Sequence, residues 1–123
     1  MGSQVRRMLI VEDEQGLREC LQDFFSARGF SVEAVFSGEE AVEQLAKNPP
    51  DVVLLDIVLP GVSGLEVLKR VKQLHPRATV VMVTGVDQDD VRKTARLYGA
   101  AAYITKPFAV SDSTWFPVFA RPS

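Results

Sequence analysis

Cysteine, histidine and tryptophan occur once each, as Cys20, His75 and Trp115. A lone cysteine cannot close an internal disulfide, and one cysteine with one histidine cannot furnish a thiolate or imidazole zinc site. No stretch approaches the ~20 apolar residues that span a bilayer, and Met1-Gly2-Ser3 lacks the apolar core of a signal peptide. These absences point to the reducing cytosol. Lys and Arg number 14 against 16 Asp and Glu, a net charge of -2 with no basic stripe. Neither nucleic acid nor a membrane surface is therefore an expected direct partner of this segment. With 123 residues, 46% hydrophobic and 24% charged, the chain suits one ordinary domain and is too short for two.

What is present is a set of short apolar runs that each stop at a polar residue. Met8-Leu9-Ile10-Val11 precedes Glu12-Asp13, Asp51-Val52-Val53-Leu54-Leu55 precedes Asp56, Thr79-Val80-Val81-Met82-Val83 precedes Thr84, and Ala101-Ala102-Tyr103-Ile104-Thr105 precedes Lys106. The runs are too short for helices and read as strands buried on both faces. Ser31 to Phe36 alternates instead, as a half-exposed edge strand does. Helical patterns separate the strands. Leu17, Cys20, Leu21, Phe24 and Phe25 share one face of a helix over about Glu14 to Arg28, which makes Cys20 a small buried hydrophobe, and Gly29 follows as a stop. Ser37 with Glu40, and Ser63 with Glu66, have capping-box spacing. Asn48-Pro49 and His75-Pro76 end those two helices. Asp87 suits the N-cap of a fourth helix that turns Val91, Ala95 and Tyr98 inward and ends at Gly99. The expected fold is α/β, a doubly wound five-stranded parallel sheet in the order 2-1-3-4-5.

Parallel strands bring all their carboxyl ends to one edge, so Glu12, Asp13, Asp56, Thr84 and Lys106 converge. Three carboxylates in one crevice repel unless a cation sits among them. An oxygen-only ligand set implies a hard ion and suits Mg²⁺. A carboxylate beside such an ion can attack phosphorus to give an acyl phosphate. Thr84 could then donate to one phosphoryl oxygen and Lys106 neutralise another.

The segments Val11-Glu12-Asp13-Glu14, Asp56 to Gly64, Val83-Thr84-Gly85 and Tyr103-Ile104-Thr105-Lys106-Pro107-Phe108, in that order, closely resemble the receiver domain of two-component response regulators, a CheY-like and flavodoxin-like fold. The resemblance implies that Asp56 accepts a phosphoryl group from a sensor histidine kinase or phosphotransfer protein. It implies Mg²⁺ on Asp13, Asp56 and the backbone carbonyl of Val58, with Glu12 acting through water. Thr84 and Lys106 would bind the phosphoryl oxygens, Tyr103 would be the switch aromatic, and Lys106-Pro107 would be cis. The domain would be a cytoplasmic phosphoacceptor that assists its own phosphorylation, not an enzyme for external substrates. A downstream effector domain or protein would read its state.

Taken singly, the residues have plainer readings. Acids at a helix start favour its positive end, a threonine favours strands, a loop lysine is usually solvated, and a tyrosine usually fills core. Asp56 closing a buried strand is harder to explain without a partner. His75 has no second histidine to relay with. A haloacid-dehalogenase phosphatase would need an acid where Val58 stands, and Glu12-Asp13-Glu14 would repel the phosphate of a flavodoxin-type cofactor. The remaining alternative is an interaction module that works without phosphorylation.

Residues 1–6 read as an N-terminal extension, 7–108 as the receiver core, and 109–123 as a departure from the family. Pro117 and Pro122 preclude a long fifth helix there. Trp115, Phe116, Val118 and Phe119 would cover the sheet in a short or irregular segment, or dock on a second copy as a homodimer or by domain exchange.

Overall fold

Side chains alternate along a strand, so the apolar run of β1 (Arg7–Val11) serves two cores at once. Met8 and Ile10 enter one, Leu9 and Val11 the other. The computed structural model describes residues 5–119. Here β1, β2 (Ser31–Val35), β3 (Val52–Leu55), β4 (Thr79–Thr84) and β5 (Ala102–Thr105) form one parallel sheet in the order β2-β1-β3-β4-β5. This is the doubly wound order expected from the sequence. The central strands β1, β3 and β4 are buried, whereas every residue of β5 is half-buried, which corrects the expectation that this run is buried on both faces: β5 is an edge strand with a neighbour on one side only.

Helices α1 (Gln15–Ser26), α2 (Gly38–Lys47), α3 (Gly64–Leu74), α4 (Asp89–Leu97) and α5 (Asp112–Phe119) divide between the two faces. Leu21 and Phe25 of α1 with Trp115 of α5 pack on Met8, Ile10, Leu54 and Val83. Ala41 and Leu45 of α2, Val67, Leu68 and Val71 of α3 and Ala95 of α4 cover the other side. The β3–α3 connection spans residues 56–63, and the Gly64 N–H at its end donates back to the Ile57 carbonyl at 2.9 Å.

The helix boundaries follow local chemistry. Ser37 Oγ accepts from the Glu40 N–H at 3.2 Å, and the Glu40 carboxylate returns to the N–H of Phe36 at 3.0 Å, a variant of the expected box. Ser63 Oγ accepts from Leu65 at 3.2 Å, so Glu66 is not its partner and lies 4.0 Å from Lys69. Gly29 and Gly99, with φ of 93° and 108°, take the left-handed conformation that ends α1 and α4. His75 closes α3, and its Nε2 lies 3.0 Å from the Leu45 carbonyl of α2.

Four further sequence expectations need correction. Helix α1 stops at Ser26, with Ala27 as its C-cap, short of Arg28. Cys20 is exposed: it lines an open groove with Gly16, Leu17, Lys106, Pro107 and Phe108, at the edge of the stripe that Leu21 and Phe25 centre. Asp87 does not cap α4; Gln88 holds that position without a side-chain bond. The Arg92 guanidinium donates instead to the Asp87 carboxylate at 2.8 Å, a charge-assisted bond. Tyr98 faces solvent, with the Lys69 ammonium 5.3 Å from its ring centre.

The C-terminal segment forms a helix of 8 residues with Pro117 inside it. Trp115, 2% exposed, meets Phe25 edge-on at 5.2 Å and stacks on Phe119 at 6.2 Å. The Phe116 side chain and Pro122 lie outside the described residues.

Candidate functional site

Strand ends build the site. Glu12 follows β1, Asp56 follows β3 and Thr84 ends β4, with exposures of 2%, 4% and 0%. The backbone ladder carries the two acids past their strands: Glu12 N–H donates to the Val35 carbonyl and Asp56 N–H to the Val11 carbonyl, both at 3.1 Å. Each acid's Cα is thus fixed by the sheet. Asp13, the next residue out, is exposed. Oxygens of Glu12, Asp13 and Asp56 nevertheless lie within 4.8 Å of one another.

Lys106 enters this cluster from the far end of the chain. Its Nζ stands 2.8 Å from Asp56 Oδ2 and 2.9 Å from Glu12 Oε1. Its own N–H is held by the Thr84 carbonyl at 2.8 Å, and Lys106-Pro107 is cis. Burial pushes Glu12 above its ordinary value, against the pulls of the Lys106 hydrogen bond and the Glu14 N–H, and the nearby Asp56 charge adds to the rise. Burial by itself would lower Lys106, but hydrogen bonds to Asp56 and Glu12 outweigh it and lift the ammonium. One ammonium cannot neutralise three carboxylates. The deficit and the oxygen-only donors fit a hard divalent cation.

The remaining residues extend the site sideways. Val58 N–H donates to Asp56 Oδ1 at 3.2 Å, while its side chain is exposed at the rim. Thr84 Oγ1 accepts from the Val86 N–H at 3.3 Å, and the Tyr103 hydroxyl donates to the Val86 carbonyl. One residue thus joins Thr84 to Tyr103. Burial raises Tyr103 above its usual value, so it remains a neutral donor at pH 7.

Two arginines escaped the sequence argument. The Arg92 guanidinium lies over the Tyr103 ring, 4.6 Å from its centre, and donates to Thr105 Oγ1 at 2.7 Å. Arg18 donates to carbonyls of the loop after β1. Neither has a motif; Arg18 stands one helical turn beyond Glu14, which is its only sequence signal.

Residues 8–114 match the family described as the response regulator receiver domain. The chain belongs to that family. It is 38% identical over 106 residues to the transcriptional regulatory protein DltR of Streptococcus agalactiae, covering 86% of this chain and 47% of that protein. This receiver chain thus spans about half the length of that relative. Sporulation initiation phosphotransferase F of Bacillus subtilis is 32% identical, with 86% of each chain covered. Among solved structures, a CheY-like response regulator receiver protein from Methanospirillum hungatei superposes with a TM-score of 0.87 at 27% identity, over 94% of this chain and 92% of that one. A receiver domain of this kind is a phosphorylation-controlled element of two-component signalling, and such domains generally bind Mg²⁺ at an acidic pocket.

Proposed function

We propose that Asp56 is the phosphoacceptor of this receiver. The observation that carries the reading is the Lys106 ammonium shared between Asp56 and Glu12, at 2.8 and 2.9 Å, beside the exposed Asp13. An Asp56 oxygen forms the new bond to phosphorus. The bond from phosphorus to the donor breaks, to the imidazole nitrogen of a phosphohistidine or to the carboxylate oxygen of acetyl phosphate. The donor leaves with the bonding electron pair, and an imidazole then takes a proton from solvent.

Asp13, Asp56 and the Val58 carbonyl would hold Mg²⁺, with Glu12 reaching it through water. Bound there, the ion supplies charge compensation for the phosphoryl oxygens. Lys106 supplies a second positive charge, and Thr84 a hydroxyl donor, so the domain assists its own phosphorylation without turning over an external substrate. When the Thr84 hydroxyl turns to a phosphoryl oxygen, the Val86 N–H loses its acceptor. Val86 also holds the Tyr103 hydroxyl, so the ring is freed to repack and changes the β4–β5 surface.

The partners on this reading are a cytoplasmic histidine kinase or phosphotransfer protein, and an effector that senses the Tyr103 surface. Residues 7–108 form the signalling core, and the described part of the 109–123 segment, to Phe119, covers one face of the sheet. Intact mass after incubation with acetyl phosphate tests the acceptor. One phosphoryl group should be gained with Mg²⁺, and none without Mg²⁺ or in Asp56→Asn. A folded wild type that gains nothing would overturn the reading and favour an interaction module that works without phosphate.

A further inference from the structure

Asp13 differs from its two neighbours in the acidic cluster. Glu12 is held by Lys106 and by the Glu14 N–H, and Asp56 by Lys106 and the Val58 N–H. The Asp13 carboxylate accepts no hydrogen bond among the described residues and faces solvent. Its direction therefore rests on its own backbone, on the two peptide planes that flank its Cα.

Both planes end at the same side chain. Arg18, half-buried in the second turn of α1, donates through Nη1 to the Glu12 carbonyl at 2.9 Å and, more weakly, to the Asp13 carbonyl at 3.4 Å. The first carbonyl belongs to the peptide entering Asp13, the second to the peptide leaving it. Arg18 is itself seated by its N–H on the Glu14 carbonyl at 2.9 Å, and Glu14, the N-cap residue of α1, makes no side-chain cap bond. One guanidinium thus does what a cap and a carboxylate partner do elsewhere in the site.

We infer that Arg18 is a positioning residue for the cation site: it fixes the Glu12-Asp13 backbone so that Asp13 faces Asp56. The inference rests on the metal reading proposed above. It has a sign that separates it from simple electrostatics. A positive side chain near a divalent cation repels it, so loss of charge alone would tighten cation binding. Loss of backbone positioning weakens it, and groups that orient metal ligands typically contribute tenfold or more in affinity.

The test is Mn²⁺ titration of the metal-free protein, following the free ion by its EPR signal, with thermal unfolding of each variant alongside. Arg18→Met, which keeps the aliphatic stem, should bind Mn²⁺ about 10-fold more weakly than wild type. Arg18→Gln, neutral but still able to donate, should lie between them, and it carries the test should Arg18→Met fail to fold. Arg28→Met, which removes a cation from the turn that follows the same helix, should match wild type. Affinity equal to or tighter than wild type in Arg18→Met or Arg18→Gln overturns the role of Arg18 alone. No uptake by wild type, or equal uptake by wild type and Asp13→Asn, overturns the metal reading itself.

Discussion

Gly16 of α1 and Gly64 of α3 both lie in the first turn of a helix, yet the fold gives them opposite tolerance for a methyl group. A Cβ on Gly64 would sit 1.9 Å from the Asp56 carbonyl oxygen and 2.6 Å from the Ile57 Cα, where ordinary contact begins at 3.4 Å. These are backbone atoms of the junction that carries the acid, so no rotamer change relieves the clash. Either α3 lifts, exposing Val67, Leu68 and Val71, all fully buried, or Asp56 moves. Overpacking costs about 1–3 kcal/mol, and a backbone clash belongs at the top of that range. Alanine's better helix propensity returns about 0.5–1 kcal/mol, so Gly64→Ala should lose about 2 kcal/mol net and be phosphorylated more slowly. Nothing lies within 4 Å of a Cβ on Gly16. There the propensity gain acts alone, and Gly16→Ala should be more stable by about 0.5–1 kcal/mol. Urea unfolding followed by the fluorescence of Trp115 measures both. A Gly64→Ala stability within about 0.5 kcal/mol of wild type, from the midpoint shift at unchanged slope, would refute the steric argument.

Two further outcomes follow from the same geometry. Burial holds Glu12 above its ordinary 4.5, so the folded state binds its proton more tightly than the unfolded chain. That contribution is complete below about pH 4.5 and is lost as pH rises through the raised value. Metal-free wild type should therefore lose stability relative to Glu12→Gln between pH 4.5 and 7, and a difference that does not vary with pH would count against this assignment. Trp115 is buried with its indole N–H unpartnered among the described residues. Trp115→Phe should cost under about 1.5 kcal/mol, since it keeps a ring and removes that donor, whereas Trp115→Ala should cost about 3–5 kcal/mol. Equal costs in thermal unfolding would mean that the ring contacts do not carry the stability.

Periodicity and strand-end chemistry made most of the fold legible. The β1, β3 and β4 runs have no polar interruption, so burial on both faces, parallel pairing and convergence of Glu12, Asp56 and Thr84 follow from one pattern. What the pattern could not show were choices between competing partners. Asp87 had the residue type of a cap, but Arg92, five residues further on, offers it a cation as the competing partner. Cys20 has helical spacing suited to the core, yet it falls at the edge of the covered stripe and lines a groove with Lys106, Pro107 and Phe108. Arg18 was invisible for a different reason. Its acceptors are backbone carbonyls, which every residue carries, so no side-chain motif can announce them.

The short α5 bears on the site as well as on the core. One face of the sheet is covered by α2, α3 and α4, the other by α1 and an α5 of 8 residues. Large rings let so short a helix close that face, because each aromatic side chain buries roughly 150–250 Å². Trp115 meets Phe25 of α1 and also Phe108, 5.5 Å away and edge-on. Phe108 is two residues beyond Lys106, with the fixed φ of Pro107 between them. Lys106 is thus steadied from both sides: its N–H on the Thr84 carbonyl, and its following residues on the aromatic cluster. A segment distant from the acidic crevice in sequence thereby helps to set where the ammonium stands between Glu12 and Asp56.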